Sequence, residues 1–165
     1  MIRRLALAIS LGSALMAAPA SAQDYAPQRV VAAVDTDDLK AIVGSLDHTL
    51  LNEGQFGDVS VGAESEDGTK YVLIGTACDV GDVPGCQGVM MQVRFDPVST
   101  ITDSDLARAN LNEAAVLTWR DTSDGTIGVT RYVVLDYGVT MKNLRENVRV
   151  LLGITPLVVE ALVGE

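Results

Sequence analysis

Between Tyr71 and Phe95 the sequence is patterned in a way that leaves few folds open. Tyr71 to Ala77 is a continuous β-branched and aromatic run. Val89, Met91, Val93 and Phe95 then point one way while Gln92 and Arg94 point the other. That period of two marks a strand with one face covered and the other partly wet. The link between the runs, Asp79-Val-Gly-Asp-Val-Pro-Gly85, is rich in turn residues and carries a cysteine at each end, Cys78 and Cys86. Two strands joined so closely lie antiparallel, and the rest of the chain has to cover one side of them.

The remaining elements follow from similar signals. Asp35-Thr36 offers an N-cap with Asp37 and Asp38 in the first turn. Leu39, Ile42, Val43, Leu46 and Leu50 recur at helical spacing, which predicts a helix ended by Asn52 and Gly54. Val59, Val61 and Ala63 alternate as a strand, followed by the turn signal Asp67-Gly68. Thr102-Asp-Ser-Asp105 is a capping-box variant that starts a short helix through Leu106 and Ala109, ended by Asn110 and Asn112. Strands over Ala115 to Arg120 and Ile127 to Tyr137 are separated by the turn Ser123-Asp124-Gly125. Thr140 caps a third helix with Met141, Leu144, Val148, Leu151 and Leu152 inward, stopped by Gly153. Thr155-Pro156 restarts a last helix, since proline suits a first helical position. The expected class is α+β, an antiparallel sheet of about five strands with helices packed on it, in the order α-β-β-β-α-β-β-α(α).

The beginning of the chain reads as an address. Arg3 and Arg4 precede an uncharged stretch from Leu5 to Ala18, and Pro19-Ala-Ser-Ala22 ends in the small residues that signal peptidase needs. The stretch is short for a membrane span. Residues 1–22 are therefore expected to be a cleaved signal peptide, 23–34 a flexible arm containing Pro27, and 35–165 a single domain. The expected location is periplasmic or secreted, with no membrane association after cleavage. Without Arg3 and Arg4, ten basic residues face 22 acidic ones, a net charge of −12. Phosphate backbones repel such a body, so nucleic acid is not an expected partner.

In an exported protein, two cysteines bracketing a hairpin loop read as a disulfide. With one histidine and two cysteines, a Cys/His zinc site is nearly excluded, and no cofactor or metal is expected. The acidic turns at Glu64-Ser-Glu-Asp-Gly68 and Asp121-Thr-Ser-Asp-Gly125 lack the glycine and glutamate spacing of a calcium loop. His48 is the sole imidazole. Asp47 lies on another helix face, Ser45 could touch it, and no nucleophile elbow is present, so no catalytic residue is assigned. In Pro156-Leu-Val-Val-Glu-Ala-Leu-Val163 only Glu160 is charged. A helix apolar all round is buried on most sides. That cover comes either from the domain's own sheet or from a second protein surface, and in the latter case Leu157, Val158 and Leu162 are the candidate partner-binding or dimer-forming residues.

Cys78 and Cys86 before the Gln92–Phe95 strand, Asn110-Leu-Asn112 after the second helix, the Asp124-Gly125 turn and Asp136-Tyr-Gly-Val-Thr140 occur in an order that resembles the YbjN-domain family. Its members are described as candidate bacterial sensory transduction regulators. Leu111 departs from the pattern, which commonly has tryptophan between the two asparagines. The resemblance spans about Val34 to Leu162. It implies a fold similar to type III secretion chaperones, which usually dimerise and bind polypeptides, and it supplies no catalytic residue. The function expected is an exported, non-enzymatic protein-binding or regulatory module whose partner is another polypeptide or a second copy. The alternatives are a small exported hydrolase using carboxylates and a small-ligand sensor. A deep pocket of convergent polar groups marks an enzyme, and an open apolar surface marks a binding module.

Overall fold

The computed structural model describes residues 25–163; the expected signal peptide lies outside them. The elements are β1 (Val30–Val31), α1 (Thr36–Gly44), β2 (Thr49–Glu53), β3 (Ser60–Glu64), β4 (Lys70–Cys78) and β5 (Cys86–Phe95). Then follow α2 (Asp103–Asn112), β6 (Leu117–Arg120), β7 (Ile127–Val134), β8 (Val139–Thr140) and α3 (Met141–Val163). Six strands form one antiparallel sheet in the order β2-β3-β4-β5-β7-β6, and β1 pairs with β8 in a small second sheet.

All three helices pack on one side of the large sheet. Val61, Leu73, Val89, Met91 and Val129 point into a single core with Leu39 and Ile42 of α1, Leu106 and Ala109 of α2, and Met141, Leu144, Val148 and Leu151 of α3. The α+β class, the alternation of β5 and the inward face of α3 are as expected. Both shorter helices start on reciprocal capping boxes, Asp35 with Asp38 and Thr102 with Asp105, as the acidic first turns suggest.

Four expectations are corrected. The first helix stops at Gly44, because Ser45 folds its hydroxyl onto the Ile42 carbonyl and Asp47 takes a left-handed conformation that reverses the chain. Leu50 therefore lies in β2, an edge strand added to the expected set. Asn52 and Gly54 end that strand, and no helix reaches them.

The arm is not free. Val31 and Val34 are buried, and Val34 exchanges two backbone hydrogen bonds with Cys86. Arg29 pairs with the buried carboxylate of Asp38. The carbonyls of Pro27 and Arg29 accept from the amides of Lys142 and Met141, two donors that the start of α3 would otherwise leave unmet.

Gly153 does not interrupt α3, and Pro156 sits inside it. Proline removes one helical hydrogen bond at the Leu152 carbonyl. The Thr155 hydroxyl donates to the Leu151 carbonyl at 2.8 Å in the same turn, and the helix continues because its apolar stripe stays packed.

Finally, Val158 is 0% and Leu162 7% exposed, both in the domain's own core. Only Leu157, 49% exposed, remains on the surface from the three residues expected to face a partner. The stripe packs against the sheet and α2.

Candidate functional site

The side of the large sheet that no helix covers is built differently from the core side. Its residues are the even-numbered positions of β3, β4, β5 and β7 together with Asn52 of β2 and Leu117 and Trp119 of β6. Three glycines interrupt it, and each is floored by a neighbouring side chain. A Cβ at Gly128 would run into the Trp119 indole, one at Gly88 into the Tyr132 phenol, and one at Gly62 into the Asn52 carboxamide. Strand glycines of this kind let an aromatic ring lie flat on the backbone. Trp119 is held there by donating its indole N–H to the Thr130 hydroxyl at 2.6 Å, and Tyr132 by a 3.0 Å hydrogen bond with Thr76.

Arg94 stands at one end of this face. Its guanidinium lies 4.6 Å from the ring centre of Phe56 and 5.7 Å from that of Trp119, a cation between two aromatic faces. Nε and Nη2 donate to the Gln92 Oε1 at 3.0 and 2.7 Å. Phe56 comes from the β2–β3 loop, which the buried Ser60 fixes: its hydroxyl accepts from the Phe56 amide and donates to the Gly57 carbonyl. Lys70 precedes the Tyr71–Val93 pair and Arg94 follows it, so the two cations sit at the same end of neighbouring strands. They line an open cavity of about 200 Å³ with Asn52, Gly62, Val72 and Gln92, and no carboxylate lines it. Asn52 Oδ1 is buried there and receives no hydrogen bond. Further along the face Leu117, Tyr132 and Val134 are each more than half exposed.

The other site residues fall elsewhere. Cys78 and Cys86 are directly opposed at the loop end of the β4–β5 hairpin, with their sulfurs at disulfide-bonding distance. Cys86 Sγ packs where Gly75 has no side chain. His48, expected on a helix, lies in the turn before β2, and its Nδ1 is 2.8 Å from the Tyr71 hydroxyl. Partial burial pushes the His48 pKa down, and burial pushes that of Tyr71 up. His48 opens on a broad polar depression of about 490 Å³ with Asp47, Glu66, Asp67 and Arg149. Among the described residues no group of three or more His, Cys, Asp or Glu side chains could hold a metal ion.

Gln92 and Arg94 mark the partly wet face in the sequence, but the layer of Phe56, Trp119 and Tyr132 upon it has no such local mark. The signal was present in the glycines opposite those rings, and only the strand register reveals it.

No family model matches the chain, and no curated protein matches it by sequence. Solved structures do. The crystal structure of YbjN from E. coli, a candidate transcription regulator, superposes with a TM-score of 0.52 at 15% identity, over 78% of this chain and 96% of that one. The ExsC–ExsE complex matches with a TM-score of 0.50 at 12% identity, over 73% and 90%. The HopA1–SchA chaperone–effector complex matches with a TM-score of 0.46 at 16% identity, over 73% and 93%. The fold is thus YbjN-like and of the type III secretion chaperone kind, as the sequence motifs implied.

Proposed function

We propose that this protein is an exported, non-enzymatic binding module that engages another polypeptide through the open face of its sheet. The observation that carries the reading is the aromatic layer on that face. Leu117 is exposed beside the Phe56–Arg94–Trp119 stack, and Tyr132 and Val134 further along the same face, whereas the helices pack on the opposite face. Aromatic residues and arginine are the groups enriched where proteins bind one another. The ExsC–ExsE neighbour is a complex, which supports a polypeptide as the partner class. Export rests on the basic, apolar and small-residue pattern of residues 1–22 and on the paired cysteines.

Photocrosslinking from position 132 in the producing cell tests the binding reading, with position 122 in the β6–β7 turn as control. A discrete polypeptide adduct from 132 and none from 122 is expected; equal labelling from both sites, or none from 132, overturns it. Export is tested separately by the N-terminal sequence of the cellular protein, which is expected to begin at Gln23.

A further inference from the structure

The chain carries 22 acidic and 12 basic residues, yet the cavity at the Arg94 end of the open face is lined by two cations and no anion. Lys70 forms no ion pair among the described residues, and neither does Arg94. Glu64 lies opposite Lys70 on β3, and the Asp121 carboxylate, held chiefly by Ser123, also feels the Arg94 charge, but neither lines the cavity. Arg94 spends Nε and Nη2 on Gln92 Oε1, which leaves Nη1 without an acceptor among the described residues. Its plane is fixed by Phe56 and Trp119, so it is pre-oriented. Gln92 is 5% exposed and hydrogen-bonded on both sides, to Met90 and to Arg94, so the arginine rests on a rigid support.

We infer that this cavity is an anchor for a carboxylate side chain, Glu or Asp, in the polypeptide that docks on the open sheet face. Charge complementarity selects the anion, because the pocket is a cationic island in an acidic molecule. A fixed guanidinium recognises a carboxylate better than a mobile ammonium does, since its donors are already aligned. The apolar rings beside it favour an acidic residue flanked by aliphatic ones at i−2 and i+2, which share a face in an extended segment. This rests on the reading of the open face as a polypeptide surface.

Trp119 is the sole tryptophan and touches Arg94, so its fluorescence reports on the site. The probes are acetyl-Leu-Ser-Glu-Ser-Leu-amide, the same peptide with glutamine for glutamate, and sodium acetate. The glutamate peptide is expected to bind about tenfold tighter than the glutamine peptide at low salt, with the preference shrinking as salt rises. Lys70→Gln, which leaves the aromatic stack in place, is expected to reduce that preference, and Arg94→Gln to remove it. Equal binding of the two peptides overturns the carboxylate anchor while leaving the polypeptide surface standing. No response to either peptide counts against both. A response to acetate equal to that of the peptide overturns recognition of a peptide-borne acid.

Discussion

The two faces of the six-stranded sheet are made from alternate residues of the same strands, yet they are built on different principles. On the helix side, Leu73, Val89, Met91 and Val129 are aliphatic, fully buried and interlocked with three helices. On the open side, Val72, Ile74, Gln92 and Thr130 are nearly as buried, although no helix crosses them. Their cover is a thin layer of neighbouring side chains laid over glycines. A core buried by whole elements resists loss of any one of them less locally than globally, so its residues set stability. A layer of single side chains can be displaced or extended without unfolding the sheet, which suits a surface that receives a partner.

The sharpest break of this comparison comes from the covered face. Leu73→Ala is expected to cost about 2–5 kcal/mol in urea unfolding, and a midpoint near that of the parent protein would erase the distinction. Replacing both cysteines by serine is expected to cost about 2–3 kcal/mol for the short loop closed between them. Non-reducing intact mass with alkylation checks that the bond exists, and two free thiols would end the idea. On the open face, Gly128→Ala forces the Trp119 ring off its seat at about 1–3 kcal/mol, with a shift in tryptophan emission that Leu73→Ala does not produce.

How far the sequence announced these faces depends on the span of the signal. Period-two alternation in β5 and the capping residues of α1 and α2 are local, and a short stretch of sequence suffices to locate them. The first helix ran too far because Leu50 falls four residues after Leu46, in phase with a helical stripe, while the stop comes from Asp47 adopting a left-handed turn. Pro156 and Gly153 mark a break by local rules, but packing of Leu151, Val158 and Leu162 along one continuous stripe outweighs them. The arm looked loose since its partners, Cys86 and Val139, lie far along the chain. The Trp119–Gly128 seating depends on register between β6 and β7, which no single stretch encodes.

Smaller effects sharpen the picture. His48→Ala removes the hydrogen-bond partner of the buried Tyr71 hydroxyl and is expected to cost about 1–3 kcal/mol. The His48 pKa is lowered on folding, so the unfolded chain binds the proton more readily and stability falls as pH drops below about 6.5. That part of the pH slope is expected to vanish in His48→Ala, measured by unfolding between pH 7 and 5. Least of all, Leu157→Glu is expected to leave the light-scattering mass unchanged, because one half-exposed leucine supplies far less than the roughly 800 Å² per partner of a stable interface. Leu162→Glu, in the core, is expected to unfold the domain instead; a folded protein of halved mass from Leu157→Glu would place a dimer contact there after all.

The pairing of β1 with β8 also bears on when the molecule can be finished. Val31 and Val139 are 108 residues apart (139 − 31), and the carbonyls that complete the start of α3 belong to Pro27 and Arg29. Arg29 and Val34 meet Asp38 and Cys86 earlier in the chain, but Val30, Val31 and the Pro27 and Arg29 carbonyls have no partner until residues 139–142 have followed. A closure between such distant segments comes late in folding. Under the export proposed above, that latch would close only after the chain had crossed the membrane.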